Sequence, residues 1–395
     1  MKHTLISFLL IFNVFLAFSV PNPNKIVVHQ NGRKTVFDIE KVDSITFSHM
    51  ENDEGIDRFV GGDISMLPQY EKHGNTYYDL EGNEIEVLPY FKELGMNCMR
   101  VRLFVDPGKA SADDKGSGVI QDLDFVTQLG KRIKEAGLHF MLDFHYSDSW
   151  ADPAKQTIPQ SWQNTPTNAL YDTVYQYTKR CLAVLVQNDA KPDFIQIGNE
   201  VSYGMLWNFG KVYATSDDNW NVFSALLNRA SKACREICPD AKIVVHTERS
   251  GQPDISLLYY QKLEKYGVDY DIIGLSYYPF WHNDLSTLSN TLKKLEDGFP
   301  NKKVQIVETA YYYQYQPDVD HDFSSKWSVT PEGQKKYLSE LISELKKHTN
   351  VNGLYWWFPE ENGNGVISDW VNRGLFDDNT GKALPALYEL SSFLK

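Results

Sequence analysis

A chain of 395 residues, 42% hydrophobic and 23% charged, carries apolar material for a large core and excludes extensive disorder. Its formal net charge of −13, with no basic run anywhere, excludes nucleic acid and anionic membrane surfaces as partners and favours an uncharged substrate over a polyanion. Aromatic residues are abundant, with 23 Tyr, 21 Phe and 9 Trp, many beside predicted strand ends, where flat rings in a cleft suit the faces of a sugar chain.

Residues 1–19 have the form of an export signal: Lys2 and His3 at the start, an apolar run from Leu5 to Phe18, and a small-x-small site at Ala17-Phe18-Ser19. The run is too short for a spanning helix, so export without membrane insertion of the mature chain is expected, to the periplasm, the cell surface or the medium. Residues 20–55 read as a linker, Pro21-Asn22-Pro23-Asn24, followed by an N-terminal extended or hairpin arm in which Ile26 to Phe47 alternates around Asn31-Gly32. Cys98 falls in a predicted strand, Cys181 in a helix, and Cys234 and Cys238 four apart on another helix, poor geometry for a disulfide; all four are expected reduced and mostly buried.

From residue 56 to 395 one rhythm repeats, an apolar strand and then an amphipathic helix. Strands are predicted near Phe59 to Ile64, Cys98 to Phe104, His139 to Phe144, Phe194 to Ile197, Lys242 to His246, Ile272 to Ser276, Val304 to Val307 and Gly353 to Trp357. Helices are predicted over Val87 to Leu94, Leu123 to Ala136, Ala169 to Gln187, Asn219 to Ile237, Ile255 to Tyr266, Leu285 to Asp297, Glu332 to Lys347 and Pro385 to Leu394. Eight such pairs predict the α/β class and a (β/α)8 TIM barrel as one catalytic domain. The runner-up, a doubly wound open sheet, lacks a Gly-x-Gly-x-x-Gly or phosphate loop after the first strand.

In a barrel of this kind the C-terminal strand ends open onto one face and can be read as a single site. Phe-Ile-Gln-Ile-Gly-Asn-Glu at 194–200 is a short buried strand that turns at Gly198 and presents Asn199 and Glu200; Val-Gln-Ile-Val-Glu-Thr at 304–309 stops on Glu308 in the same way. Either glutamate alone is equally a cap or a surface ion-pair partner, but two strand-end carboxylates suit a glycosidase, which needs one protonated and one ionised. The first strand offers Asp63 beside Gly61 and Gly62. On the second, Arg100 and Arg102 share a face, and an inward Arg102 is expected to hold an acid, with Glu308 the candidate.

The third strand runs into Asp-Phe-His-Tyr-Ser-Asp-Ser-Trp-Ala-Asp-Pro at 143–153, dense in imidazole, carboxylate and indole. Metal catalysis through His145, His246 and the acids competes, yet neither His-x-His nor His-Glu-x-x-His occurs, and no Gly-x-Ser-x-Gly elbow supports a serine nucleophile. Tyr277 after the sixth strand either bonds a neighbouring carboxylate or is a core tyrosine capped by a carbonyl; Trp281 follows it. Of Trp356 and Trp357 on the eighth strand, one is expected to face the cleft.

From Phe59 to its end the chain resembles the arabinogalactan endo-β-1,4-galactanases of glycoside hydrolase family 53, in the clan of retaining (β/α)8 glycosidases. The resemblance rests on Gly-Gly-Asp-Ile-Ser at 61–65, Met-Arg-Val-Arg at 99–102, the 143–153 loop, Gly-Asn-Glu at 198–200, Val-Glu-Thr at 307–309, and the closing Trp-Val-Asn-Arg-Gly-Leu-Phe-Asp at 370–377 with Ala383-Leu384-Pro385. It implies cleavage of β-1,4-galactosidic bonds in galactan side chains of pectin, with Glu200 as acid/base and Glu308 as nucleophile. It further implies Asn199 at the hydroxyl beside the reacting carbon, Tyr277 and Arg102 orienting Glu308, and His145, Asp148, Trp150 and Trp356 or Trp357 lining the sugar subsites; Asp63, His246 and Trp281 are also expected to bind substrate.

No cofactor is required for that chemistry, and a monomer acting on polysaccharide is expected. Asp318, Asp320 and Asp322 offer oxygens at alternate positions, either a structural calcium site of the kind some bacterial relatives carry after strand seven or a solvated acidic loop. Two loops depart from the family pattern, Ala310-Tyr311-Tyr312-Tyr313 where a proline is expected and Trp207-Asn208 in place of Trp-Pro. The rival expectations are a clan β-1,4-glycanase acting on mannan, xylan or glucan, and a non-catalytic sugar-binding barrel.

Overall fold

Eight parallel strands close on themselves in sequence order: β1 (Phe59–Asp63), β2 (Cys98–Leu103), β3 (His139–Phe144), β4 (Phe194–Ile197), β5 (Lys242–Thr247), β6 (Ile272–Ser276), β7 (Lys303–Thr309) and β8 (Val351–Trp357). The computed structural model describes residues 25–30, 33–38, 58–363 and 365–395. The chain divides into two units, 1–55 and 56–395. In the first, Lys25–Gln30 pairs antiparallel with Arg33–Asp38, flanking the Asn31-Gly32 position where a hairpin turn was expected. The expected signal, the linker and the rest of the arm lie outside the described residues.

Each of the first seven strands feeds a helix that packs on the outside of the barrel. These are α1 (Val87–Glu93), α2 (Leu123–Glu135), α3 (Leu170–Gln187), α4 (Trp220–Ile237), α5 (Pro253–Lys265), α6 (Leu285–Gly298) and α7 (Pro331–Leu345). Several starts are set locally: the side chains of Asp122, Asp284 and Thr330 accept from the third backbone N–H beyond them, in α2, α6 and α7 respectively, and Pro331 occupies the first turn of α7. Pro385 to Leu394, expected as an eighth helix, forms two 3-10 turns instead, Pro385–Tyr388 and Leu390–Leu394. Ten residues starting on a proline are too few to sustain an α-helix unless packing demands one. A helix at Leu67–His73, with Leu67 and Tyr70 buried, was not predicted.

Two apolar layers result. The outer one fills the space between strands and helices, and the inner one closes the barrel floor with Phe59, Cys98, Met141, Phe194, Val244, Ile272, Val307 and Tyr355. All four cysteines are free and buried. Above the floor the inward positions turn polar, with Asp63, Arg100, Arg102, Asp143, Gln196, His246 and Ser276 all fully buried.

Candidate active site

Glu200 and Glu308 reach this polar layer by different local devices. After β4, Gly198 has φ +104°, and Glu200 itself adopts the left-handed region at φ 47° and ψ 49°. That conformation is costly for a residue with a Cβ and is held by its neighbours: Gln156 Nε2 donates to the Asn199 carbonyl at 2.9 Å and Tyr259 OH to the Val201 carbonyl at 2.9 Å. On β7 a bulge supplies the aim. Leu275 pairs with Ile306 and Ser276 with Glu308, so Val307 is the extra residue; it stays in the floor layer while Glu308 is redirected into the mouth.

The two carboxylates meet. Oxygen atoms of Glu200 and Glu308 and a ring nitrogen of His246 all lie within 4.8 Å of one another. Ser276 Oγ sits between the acids, 2.7 Å from Glu200 Oε1 and 3.3 Å from Glu308 Oε2, with His246 Nε2 at 2.8 Å. The single serine proton goes to a carboxylate, so His246 donates from Nε2 and its Nδ1 accepts, from Gln196 Nε2 at 3.1 Å. Burial, followed by the charge of Arg100, holds the His246 ring well below its ordinary range and therefore neutral. The spacing of this trio suits a divalent cation, but Arg100 already supplies the counter-charge to Glu308 and Ser276 fills the gap, which makes it an acid–base set.

Arg100 is the hub. Its guanidinium contacts Asp63 Oδ2 at 2.8 Å, Asp143 Oδ2 at 2.8 Å, Asn199 Oδ1 at 2.9 Å and Glu308 Oε1 at 3.0 Å, with every partner on a different strand or strand end. Burial opposes its charge, and Asp143, Glu308 and Asp63 outweigh that opposition. Arg102, expected to hold Glu308, instead bonds Asp63 Oδ1 at 3.1 Å and the Gly118 carbonyl at 3.2 Å, under Trp150 and Phe358. Two positions further along β2, it stands nearer the rim than Arg100 and meets the aromatic wall. The phenol expected from Tyr277 comes from its neighbour: Tyr278 OH donates to Glu308 Oε2 at 3.0 Å, while Tyr277 OH donates to the Asn283 carbonyl at 2.9 Å.

The environments of the pair differ. Burial raises both acids. Glu200 is lifted further, well above the usual carboxylate range, by the charges of Glu308 and Glu248; at Glu308 the rise is opposed by Arg100 and by the Tyr278 hydrogen bond. Glu308 is therefore the acid that ionises first, and Glu200 the one that keeps its proton.

The remaining predicted residues divide between cleft and support. Trp357 lies over Arg100 and stacks on Phe358, and Trp356 sits between barrel and helices against Tyr337 with its Nε1 on the Arg373 carbonyl. Trp281 is 46% exposed, beside Trp370, which has Arg373 on its face. Trp150 is half-buried with Nε1 on Ser117 Oγ, and the adjoining Asp148 accepts from the Gln160 N–H at 2.7 Å. His145 and Asp63, expected to bind substrate, are enclosed. His145 Nε2 faces Asp143 at 3.1 Å and its Nδ1 accepts from the Ala151 N–H, while Asp63 is saturated by Arg100, Arg102 and Ser65. His246 likewise lies beneath the acids. Sequence reasoning missed Arg100, Ser276, Tyr278 and Glu248; the two arginines in period two and the doubled tyrosine were the available signals.

The carboxylates of Asp318, Asp320 and Asp322 do not converge as a group of three. Asp322 Oδ1 accepts from the Ser324 N–H and Gln316 Nε2, and the only cluster of three or more such ligands among the described residues is the one at the catalytic mouth.

A closed parallel barrel with paired acids at the ends of β4 and β7 defines a glycoside hydrolase. The chain belongs to glycosyl hydrolase family 53, whose family model matches residues 59–390. It is 33% identical over 353 residues to an arabinogalactan endo-β-1,4-galactanase of Cellvibrio japonicus, covering 83% of this chain and 89% of that one. It is 30% identical over 341 residues to a probable arabinogalactan endo-β-1,4-galactanase A of Aspergillus tubingensis, covering 83% and 93%. Among solved structures, the GH53 catalytic domain of Ignisphaera aggregans superposes with a TM-score of 0.77 at 30% identity, covering 86% of this chain and 97% of that one.

Proposed function

We propose that this protein is an endo-acting, retaining β-1,4-galactanase that shortens galactan chains, with Glu308 as nucleophile and Glu200 as acid/base. The observation that carries it is the meeting of the two carboxylates within 4.8 Å. A retaining pair stands about 5–5.5 Å apart, whereas an inverting pair needs about 6.5–9.5 Å to admit a water. In the first step ionised Glu308 attacks the anomeric carbon while Glu200 gives its proton to the departing oxygen. In the second, Glu200 takes a proton from water, which displaces Glu308 and restores both groups.

The substrate follows from the relatives, which are named as galactanases at 30–33% identity; this favours galactan over mannan, xylan or glucan. Trp357 forms the platform under the reacting sugar, and Trp150 and Trp281 extend the cleft. Asn199 Nδ2 donates one hydrogen to the Ala151 carbonyl and keeps the other for a sugar hydroxyl. A polymer substrate also accords with an exported monomer, which N-terminal sequencing and sedimentation of the mature protein would check; among the described residues no helix is long and apolar enough to cross a membrane. Digestion of unbranched β-1,4-galactan, with xylan, mannan and glucan in parallel, is expected to release short galacto-oligosaccharides whose first-formed anomer is β. Activity on another glycan with none on galactan, or a first-formed α anomer, overturns the assignment.

A further inference from the structure

A third carboxylate stands beside the pair. Glu248 directly follows β5, and its Oε1 accepts from Ser202 Oγ at 2.7 Å and pairs with Arg249 Nε at 2.8 Å. Its Oε2 is buried and has no partner. Arg249 is itself fixed, 4.5 Å above the Tyr203 ring and bonded to Gln252 Oε1 at 3.3 Å. Ser202 belongs to the short turn Val201–Tyr203 that begins on Glu200, so the Ser202–Glu248 bond ties the turn carrying the strained Glu200 to the end of β5.

Charge counting gives this arrangement a purpose. Around the polar layer and its rim, Asp63, Asp143, Glu200, Glu248 and Glu308, with Asp152 and Glu360 beside them, outnumber the guanidinium groups of Arg100, Arg102 and Arg249, and His246 is neutral. That excess of negative charge favours a proton on the carboxyl with the weakest support. Glu248 has a guanidinium and a hydroxyl donor on one oxygen; Glu200 has only the Ser276 hydroxyl. We propose that Glu248, paired with Arg249 and joined through Ser202 to the Glu200 turn, is a positioning residue that keeps the proton on Glu200 and fixes that side chain toward the leaving group. This inference rests on Glu200 being the acid/base.

The surrounding groups agree. Glu200 faces Glu308, Glu248, Asp152, the Ser276 hydroxyl and the Tyr278 phenol. Glu248 faces Arg249, Asp152 and the phenols of Tyr259 and Tyr260. Arg249 is the single cation in either set, and it sits on Glu248. Burial raises both Glu248 and Glu200; at Glu248 the rise is opposed by Arg249 and the Ser202 hydroxyl, whereas at Glu200 the charges of Glu308 and Glu248 add to it.

The test is the pH profile of kcat/KM. Glu248→Gln keeps an acceptor for Ser202 and removes the charge. Its alkaline limb on galactan is expected to fall by about one pH unit, since Glu200 then loses its proton earlier. On an aryl galacto-oligosaccharide with a good leaving group, the loss at pH above the limb should be much smaller. The shorter pair Glu248→Asp and Glu248→Asn repeats the comparison, with the limb lower in Asn than in Asp. A limb that stays put in both neutral variants overturns the proposal. Glu200→Ala is the separate control: if its profile on the aryl substrate keeps the wild-type alkaline limb, the assignment of Glu200 as acid has failed, not the role of Glu248.

Discussion

The Arg100 guanidinium lies 3.0 Å from Glu308 Oε1 while also gripping Asp63 and Asp143, so one cation anchors the proposed nucleophile and the architecture around it. Arg100→Met strands three buried acids. A loss of about 3–5 kcal/mol in urea unfolding is expected, as for breaking a buried ion pair from one side. Arg100→Lys keeps the charge without the planar fork and should recover only part of that stability and little of the turnover.

Azide distinguishes the two glutamates by stereochemistry. In Glu200→Ala, azide attacks the glycosyl-enzyme after an activated leaving group has gone, and a β-glycosyl azide is expected. In Glu308→Gly, azide enters from the vacated face and an α-glycosyl azide is expected. Turnover of galactan should fall by about 100- to 10,000-fold in Glu200→Ala. Proton NMR of the products reads both configurations, and exchanged configurations would reverse the assignment.

Adjacent tyrosines offer a matched pair. Tyr278→Phe removes a donor to an ionised oxygen, a contact worth about 1.5–3 kcal/mol, and should lower kcat by about 10- to 100-fold with KM little changed. Tyr277→Phe removes only a cap on the Asn283 carbonyl, and kcat should stay within about threefold of wild type.

Activity should trace a bell against pH. The proposed mechanism needs Glu308 ionised and Glu200 protonated, and burial moves both upward, Glu200 furthest. The acidic limb is therefore expected above the usual carboxylate range, and activity declines as pH rises through the elevated value of Glu200. Ser276→Ala, which takes the shared hydroxyl from both acids, should shift both limbs in a profile of kcat/KM.

A stability measurement reports on Glu360. It is fully buried, accepts from the Met66 N–H at 2.9 Å, and is pushed up to about 8 by burial and by Asp63. Since the folded value exceeds the unfolded one, its contribution is complete below about 4.3 and is lost as pH rises through about 8. Glu360→Gln keeps an acceptor for Met66 and cannot ionise. Its Tm relative to wild type should therefore climb between pH 5 and pH 9, and a constant difference would refute this.

The strands were legible because buried parallel strands are continuous apolar runs bounded by turns, and all eight appear where periodicity put them. Glu200 and Glu308 were legible as the polar residues that end two such runs. What strict alternation could not reveal was the bulge at Val307, which places two successive side chains inside the barrel and moves the partner phenol from Tyr277 to Tyr278. Depth along one strand was equally hidden: Arg100 and Arg102 share a face, and only the closed barrel decides which meets Glu308. Glu248 was invisible because nothing in His246-Thr247-Glu248-Arg249 distinguishes a half-buried pair from a solvated one.

The apolar floor made by Phe59, Cys98, Met141, Phe194, Val244, Ile272, Val307 and Tyr355 gives the barrel a stopper. In the proposed mechanism the water that frees Glu308 therefore shares its doorway with the polymer. Whenever sugar crowds that doorway, a hydroxyl of a waiting chain competes with water for the trapped galactosyl unit, and oligosaccharides longer than those supplied should accumulate in concentrated digests.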